Sequence, residues 1–350
     1  SAMALLVVKP SHAHELPAPV ANRFVSLLVW VLAASIPFVA YYIVEIASHF
    51  NAATLLLAAR MAMLEVNETG EQSLLVGAAI TLSLIVASIA FLESENHRFR
   101  ATVAIFVAMV INILSGGRGG VVTLGFSLIC IHILKTGRVQ WKALASIFAV
   151  FLIIFGVMGV LVQKGDARAD ATFSENVRPV LEGFAVYGAG GAVGFDRLMR
   201  QPNIVPHNWH IDRFFLETSN KLGARFEIPS LHAEYVELGP RYSSNVYTAY
   251  FAYIDFGLPL MMAIVSLIGF VLCLTYRRAV EGGKVATVMF AFFFSGLILM
   301  VFNEQFFMQL NYISKLFVVA WIVYSLPLRM QQFSCVLRHN RTSETSVRPV

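Results

Sequence analysis

Charge is the first thing this chain lacks. Asp, Glu, Lys and Arg make up 13% of its 350 residues, about half the share found in ordinary soluble domains. Hydrophobic residues make up 57% and the mean hydropathy is +0.70, which excludes a soluble globular enzyme and makes a bilayer the expected solvent. Cysteine is scarce as well. Cys130, Cys273 and Cys335 fall in two apolar runs and a tail, so no disulfide framework is expected in an exported loop, and no redox chemistry. No internal repeat is visible, which weighs against transporters built from duplicated halves. A pI near 9.2 would suit a nucleic-acid partner, but Lys and Arg are scattered through short loops and tails, with no basic helix face.

What the chain does have is long apolar runs. A bilayer leaves backbone N–H and C=O groups no partner outside a helix or a closed barrel, and these runs are far too long for barrel strands. At about 20 apolar residues per crossing, eight spans are expected, at 24–46, 73–92, 99–117, 120–134, 143–162, 247–274, 285–302 and 312–326. The sixth is long enough to kink near Pro259. Residues 52–64 are apolar but short and contain Arg60, which reads as an interfacial or re-entrant segment. The opening Ser-Ala-Met is set aside as a cloning remnant, and the 23-residue run after Arg23 exceeds a cleavable signal core. It is expected to remain as the first span.

Basic residues resist translocation in short loops, and so orient the chain. With the N-terminus inside, the cytoplasmic pieces hold fourteen Lys and Arg, and the short outward loops hold only Arg60, Arg118 and Lys315. The long loop over 163–244 holds nine basic and ten acidic residues; loops of that length are largely exempt from the rule. The expected layout is a cytoplasmic tail over 1–23, spans one to five within 24–162, a large outward loop over 163–245, spans six to eight within 246–326, and a cytoplasmic tail over 327–350. The fold class is thus an all-α polytopic membrane protein of about eight transmembrane helices. Inside the large loop, Ile211, Phe214, Phe215 and Leu222 recur near helical spacing among Asp212, Arg213, Glu217 and Lys221, predicting a short amphipathic helix on the membrane surface. Pro202, Pro206, Pro229 and Pro240 divide the rest into short pieces.

Chemistry could sit in three places. Ser115-Gly-Gly-Arg118-Gly-Gly120 forms a tight hairpin between the third and fourth spans. Glycine allows close backbone approach to a ligand, and an arginine matches phosphate oxygens through bidentate charge-assisted bonds. The plainer alternative is a flexible turn whose Arg118 touches ordinary headgroups. The Gly-Lys-Ser/Thr ending of a P-loop is missing. In the second place, Asn245 to Gly257, a regular helix would put Asn245, Thr248 and Asp255 on one face, with Asp255 about 15 Å deeper than Asn245. An ionisable group at such depth is a functional candidate; alternatively Asp255, followed by Phe256, Gly257 and Pro259, caps a restarted helix.

The third place is the large loop's arginine set, Arg168, Arg178, Arg197, Arg200, Arg213, Arg225 and Arg241. Most are expected to be solvated or paired with the loop's carboxylates. Arg241, four residues before Asn245, is the strongest functional candidate, and Arg225 follows it. His232, Glu234 and Glu237 could supply a general base. His207 and His210 lack a third ligand at helical spacing, so no metal site is expected there.

These segments resemble the bacterial oligosaccharide repeat unit polymerases, the O-antigen polymerase family. Arg118 in its glycine hairpin is similar to that family's outward-facing arginine between two spans. Tyr187-Gly-Ala-Gly190-Gly191-Ala-Val-Gly-Phe195 resembles its Tyr-x-x-Gly-Gly-x-x-x-Phe loop segment. Asn245-Val-Tyr247-Thr248, followed by Tyr253-Ile-Asp255-Phe256-Gly257, resembles its Asn-x-Tyr-Thr and Tyr-x-Asp-Phe-Gly entry to a late span. The likeness covers 118–270 in order; the departure is size, since such polymerases commonly have ten spans or more.

The resemblance implies a transferase at the periplasmic face of the bacterial inner membrane. It would move a glycan from one undecaprenyl-diphosphate carrier onto a hydroxyl of a second lipid-linked unit, with a chain-length regulator and a flippase of the same pathway as possible partners. Guanidinium groups would then stabilise the diphosphate leaving group. It assigns that role to Arg118 and Arg241, with Arg225 in reserve. Tyr187, Asn245, Tyr247 and Thr248 would bind substrate, and His232, Glu234 or Asp255 would act as base. No Asp-x-Asp pair occurs, so neither a metal nor another cofactor is expected. The nearest rival, an O-antigen ligase, uses the same donor but delivers the glycan to lipid A core, and the Tyr-x-Asp-Phe-Gly segment favours polymerase over it. A lipid-linked glycan transporter should carry charged residues in several spans, which this chain does not.

Overall fold

Apolar runs leave the backbone one economical solution in lipid, and the chain adopts it: nearly every described element is a helix. The computed structural model describes residues 19–324 apart from positions 53, 96 and 117, segments 70–72, 202–211, 229–234, 240–241 and 246–247, and most of 140–172. The helices are α1 (Pro19–Ala47), α2 (Leu55–Thr69), α3 (Leu74–Leu92), α4 (Arg98–Leu114) and α5 (Arg118–Thr136). After them come α6 (Phe173–Arg200), α7 (Arg213–Lys221), a hairpin of β1 (Tyr235–Gly239) and β2 (Tyr242–Asn245), and then α8 (Phe251–Val280), α9 (Lys284–Leu299) and α10 (Leu310–Tyr324). Among the described residues, four stretches are long and apolar enough to cross a membrane: Arg23–Ala47, Leu75–Leu92, Gly119–Thr136 and Phe251–Val280. The protein is therefore a membrane protein. The helices at the expected third, seventh and eighth spans are shorter, with 17 residues in α4 and 16 in α9. The expected fifth span and both tails fall largely or wholly outside the described residues.

The bundle is organised around α3, in which Ser83 to Ala90 are buried without a break. It packs against α1, α4, α5 and α9. Hydroxyls in so apolar a setting need internal partners, and Thr81, Ser83 and Ser88 donate to the carbonyls of Gly77, Ile80 and Leu84 at 2.9, 2.8 and 2.9 Å. Between α5 and α9 the Ser127 and Ser295 hydroxyls lie 2.8 Å apart, small side chains that let the two backbones approach. The outside is apolar: Leu27, Trp30 and Val31 on α1, and Met262, Leu267 and Phe270 on α8, are all exposed. Such surface belongs against lipid rather than water.

The two ends of the bundle differ. At one end Lys135 donates to the Leu92 carbonyl at 2.9 Å and pairs with Glu95 at 3.2 Å, Lys284 pairs with Glu93 at 3.0 Å, and Arg100 donates to Ser26 at 3.2 Å. These are basic residues that the charge pattern assigns to the cytoplasm. The other end gathers α2, the turn between α4 and α5, the β-hairpin, the start of α8 and the connection from Met300 to Gln309.

The all-helical class holds, with one small addition: β1 and β2 pair antiparallel, with Tyr235 opposite Asn245 and Val236 opposite Ser244. One expectation is corrected. The large loop is not a string of short pieces: α6 runs for 28 residues through the glycine-rich segment. Glycine disfavours helix by about 1 kcal/mol per residue, and tertiary contacts override that cost here. Other expectations hold. The amphipathic segment forms α7, where Arg213 pairs with Glu217 at 2.7 Å. The kink in α8 falls at Gly257, where φ is 76° and ψ is 178°. Pro259 cannot donate to the carbonyl of Asp255, and glycine two residues earlier accepts the left-handed backbone that follows.

Candidate functional site

The turn carrying Arg118 is built by packing. Ser115 caps α4, its hydroxyl donating to the Asn112 carbonyl at 2.9 Å. Gly116 then turns with φ +67°, and a Cβ there would meet Cβ and Cα of Arg60 at 3.1 and 3.2 Å. This turn therefore lies flat on α2. Two residues on, Arg118 opens α5. Gly120 faces Asn112, whose amide oxygen occupies the place a Cβ would need. Asn112 is buried and held by donating to the Ala108 carbonyl at 2.8 Å and to Ser83 at 3.3 Å. The glycines of the motif thus let α2, α4 and α5 close on one another.

The other two motif segments interlock. On α6, a Cβ at Gly190 would meet Ser244 Oγ at 2.6 Å, and one at Gly191 would meet Thr248 Cγ2 at 3.0 Å and the Val301 carbonyl oxygen at 3.3 Å. One helical turn on, Phe195 stacks on Tyr250 with centroids 4.1 Å apart, and meets Tyr253 edge-on at 5.2 Å. Arg197 donates to the Glu237 carbonyl of β1. Helix α6 therefore grips both the hairpin and the entry to α8.

This geometry corrects the reading of Asn245, Thr248 and Asp255 as one face of a regular helix. Asn245 ends β2, Thr248 lies in the following turn, where its carbonyl accepts from Phe251 at 3.1 Å, and α8 starts only at Phe251. Thr248 and Asp255 are both buried, at 2% and 6% exposure. Asp255 lies in the first helical segment, two residues before the break at Gly257.

The first motif reaches the other two through α2 and the hairpin. Arg60, against Gly116, lies within electrostatic range of Tyr235, and Tyr235 pairs with Asn245 across the hairpin. Burial pushes the Arg60 guanidinium below its ordinary range, the Tyr235 phenol acting in the opposite sense. Arg225 is exposed on the segment after α7. Of the loop's other arginines, Arg178 pairs with Glu182 at 2.7 Å and Arg200 with Asp196 at 3.0 Å, both one turn apart on α6. Arg241, His232, Glu234, Tyr247, Arg168, His207 and His210 lie outside the described residues, as do the side chains of Arg118, Tyr187 and Asn245.

One residue at this end was missed in the sequence. Glu304, in the connection between α9 and α10, is fully buried. Its carboxylate accepts from the backbone N–H groups of Phe306 at 2.5 Å and Met308 at 2.7 Å. Burial pushes its carboxyl above the ordinary range, while hydrogen bonds from the N–H groups of residues 305–308 pull it down. A lone glutamate between two apolar runs was the available signal. Among the described residues no cluster of His, Cys, Asp and Glu is arranged to hold a metal ion. No protein-family model, curated protein or solved structure matches the chain.

Proposed function

We propose that this membrane protein polymerises undecaprenyl-diphosphate-linked oligosaccharide repeat units, as its resemblance to the O-antigen polymerases implies. The supporting observation is the interlock of α6 with the entry to α8, where Gly191 lies against Thr248 and Phe195 stacks on Tyr250. Two segments of a family-like pattern, separated by about fifty residues, have no reason in chain connectivity to pack on each other; a shared site supplies one. In this reading the chain crosses the bacterial inner membrane eight times, 143–162 forming the fifth span, and the end bearing α2 and the hairpin faces the periplasm.

The chemistry asks for little more than these groups. An acceptor hydroxyl attacks the anomeric carbon of the donor glycan, the bond from that carbon to the diphosphate oxygen breaks, and undecaprenyl diphosphate departs. The hydroxyl proton passes to a base, for which Asp255, His232 and Glu234 are the candidates. The leaving diphosphate gains negative charge as the bond breaks, so fixed cations at the membrane surface act where they lower the barrier most. Arg118 and Arg241 take that role, Arg225 stands in reserve, and Tyr187, Asn245, Tyr247 and Thr248 contact the glycan.

Purified protein supplied with lipid-diphosphate repeat units should yield ladders of longer lipid-linked glycans without added metal. Arg118→Ala should abolish the ladder while leaving the melting temperature within a few degrees. An undiminished ladder from that variant would remove Arg118 from the reaction, and transfer to lipid A core alone would replace polymerisation with ligation.

A further inference from the structure

Arg60 is the only basic residue of α2, and its neighbours Ala58, Ala59, Ala62 and Met63 are buried against the bundle. The described arginines of α6, α7 and α8 that form ion pairs find a carboxylate one turn away: Arg178, Arg200, Arg213 and Arg277 pair with Glu182, Asp196, Glu217 and Glu281. Arg60 has no such option. Leu56 and Leu64 stand at the positions one turn either side, and among the described residues Arg60 makes no hydrogen bond and no ion pair. Yet it is partly buried, against Gly116 of the arginine turn and within electrostatic range of Tyr235. Taking a guanidinium partly out of water without an anion is costly, and arginine does not escape by losing its proton. Such a group is poised for an anion that arrives from outside the chain.

The position names the anion. Helix α2 is a short apolar element joining α1 to α3, at the same end of the bundle as the Arg118 turn, where phosphate borne by a lipid is the abundant negative group. Gly116 and Arg118 are two residues apart, so the backbone contact at Gly116 sets two arginine-bearing segments side by side. We propose that Arg60 is a binding residue for the diphosphate of an isoprenoid lipid carrier, working beside the Arg118 turn. This rests on the polymerase reading for the kind of lipid involved, and on the contacts of Arg60 for the residue. Its planar fork suits two phosphate oxygens at once.

The test measures binding of undecaprenyl diphosphate to the purified full-length chain in detergent, at low and high salt. Arg60→Met keeps an apolar stem and removes the charge, and Arg60→Lys keeps the charge and removes the fork. Arg60→Met should bind roughly ten- to a hundredfold more weakly, and with a shallower salt dependence, at an unchanged melting temperature. Arg60→Lys should recover part of the affinity, which a merely structural role would not predict; it also carries the test should Arg60→Met misfold. Unchanged affinity in both variants overturns the inference, as does equal displacement of the diphosphate by phosphatidylglycerol from the native protein. The two readings fail separately. Binding that depends on Arg60 with no glycan ladder would sink polymerisation and leave the binding residue standing. A native-rate ladder from Arg60→Met at subsaturating donor would do the reverse.

Discussion

Replacing Gly190 by alanine tests whether α6 is a helix held by its contacts or a helix by preference. In an open helical position, glycine to alanine stabilises by about 1 kcal/mol, because alanine loses less backbone freedom on folding. Gly188 is such a position, with nothing within 4 Å of an added Cβ. At Gly190 the same Cβ would lie 2.6 Å from Ser244 Oγ, 2.8 Å from Ser244 Cβ and 3.1 Å from Leu238 Cδ1, where carbon atoms prefer about 3.5–4.0 Å. The hairpin must retreat by something near 1 Å, and overpacking of that kind costs about 1–3 kcal/mol. The helix gain offsets part of this, so Gly190→Ala should be neutral to about 2 kcal/mol less stable than native. Gly188→Ala should be about 1 kcal/mol more stable. In thermal unfolding of the detergent-solubilised protein, Gly190→Ala should melt several degrees below Gly188→Ala. Adding Ser244→Gly to Gly190→Ala removes two of the three close atoms and should restore most of the loss, a coupling expected only of residues in contact. If Gly190→Ala melts as high as Gly188→Ala, α6 does not press on the hairpin and the interlock behind the proposed site is wrong.

Other outcomes follow from the same end of the molecule. Glu304→Leu leaves the N–H groups of Phe306 and Met308 without their acceptor, and should cost about 3 kcal/mol or more in unfolding experiments, against about 1–2 for Glu304→Gln, which keeps an acceptor oxygen. Because burial raises the Glu304 carboxyl above its ordinary range, the folded protein holds that proton more tightly than the unfolded chain does. Its contribution should therefore favour folding below the ordinary glutamate range of about 4.3 and fade as pH climbs through the raised value. Glu304→Gln should flatten that part of the stability profile, and an identical profile in the variant would refute the shift. Gly257→Ala forces a Cβ onto a left-handed backbone and should destabilise α8 by about 1–2 kcal/mol, whereas Gly269→Ala, with nothing within 4 Å, should not destabilise it; equal melting temperatures would argue against the break at Gly257.

The hairpin and α6 show where reading the chain alone stops. Two strands of five and four residues, Tyr235–Gly239 and Tyr242–Asn245, carry too short a pattern to stand out, and Gly239-Pro240 reads as any turn would. In α6 local propensity counts the entropy of the glycines and cannot count Ser244, Leu238 and Thr248, which come from 47 or more residues away. The same blindness produced the single helical face for Asn245, Thr248 and Asp255, since periodicity assumes the regular helix that the turn at Thr248 interrupts.

Apolar run length was enough to establish a helical membrane protein and the approximate limits of α1, α3, α4, α5, α8, α9 and α10, because backbone groups in lipid must bond within their own segment whatever else the chain does. Pro259 likewise announced the kink in α8. Which groups face one another was decided only in three dimensions. Arg60 beside the Arg118 turn, Gly191 beneath Thr248 and Glu304 buried among backbone N–H groups are contacts between segments far apart in sequence or between side chain and folded loop. Contacts of that kind depend on how helices pack, and no periodicity within one segment encodes them.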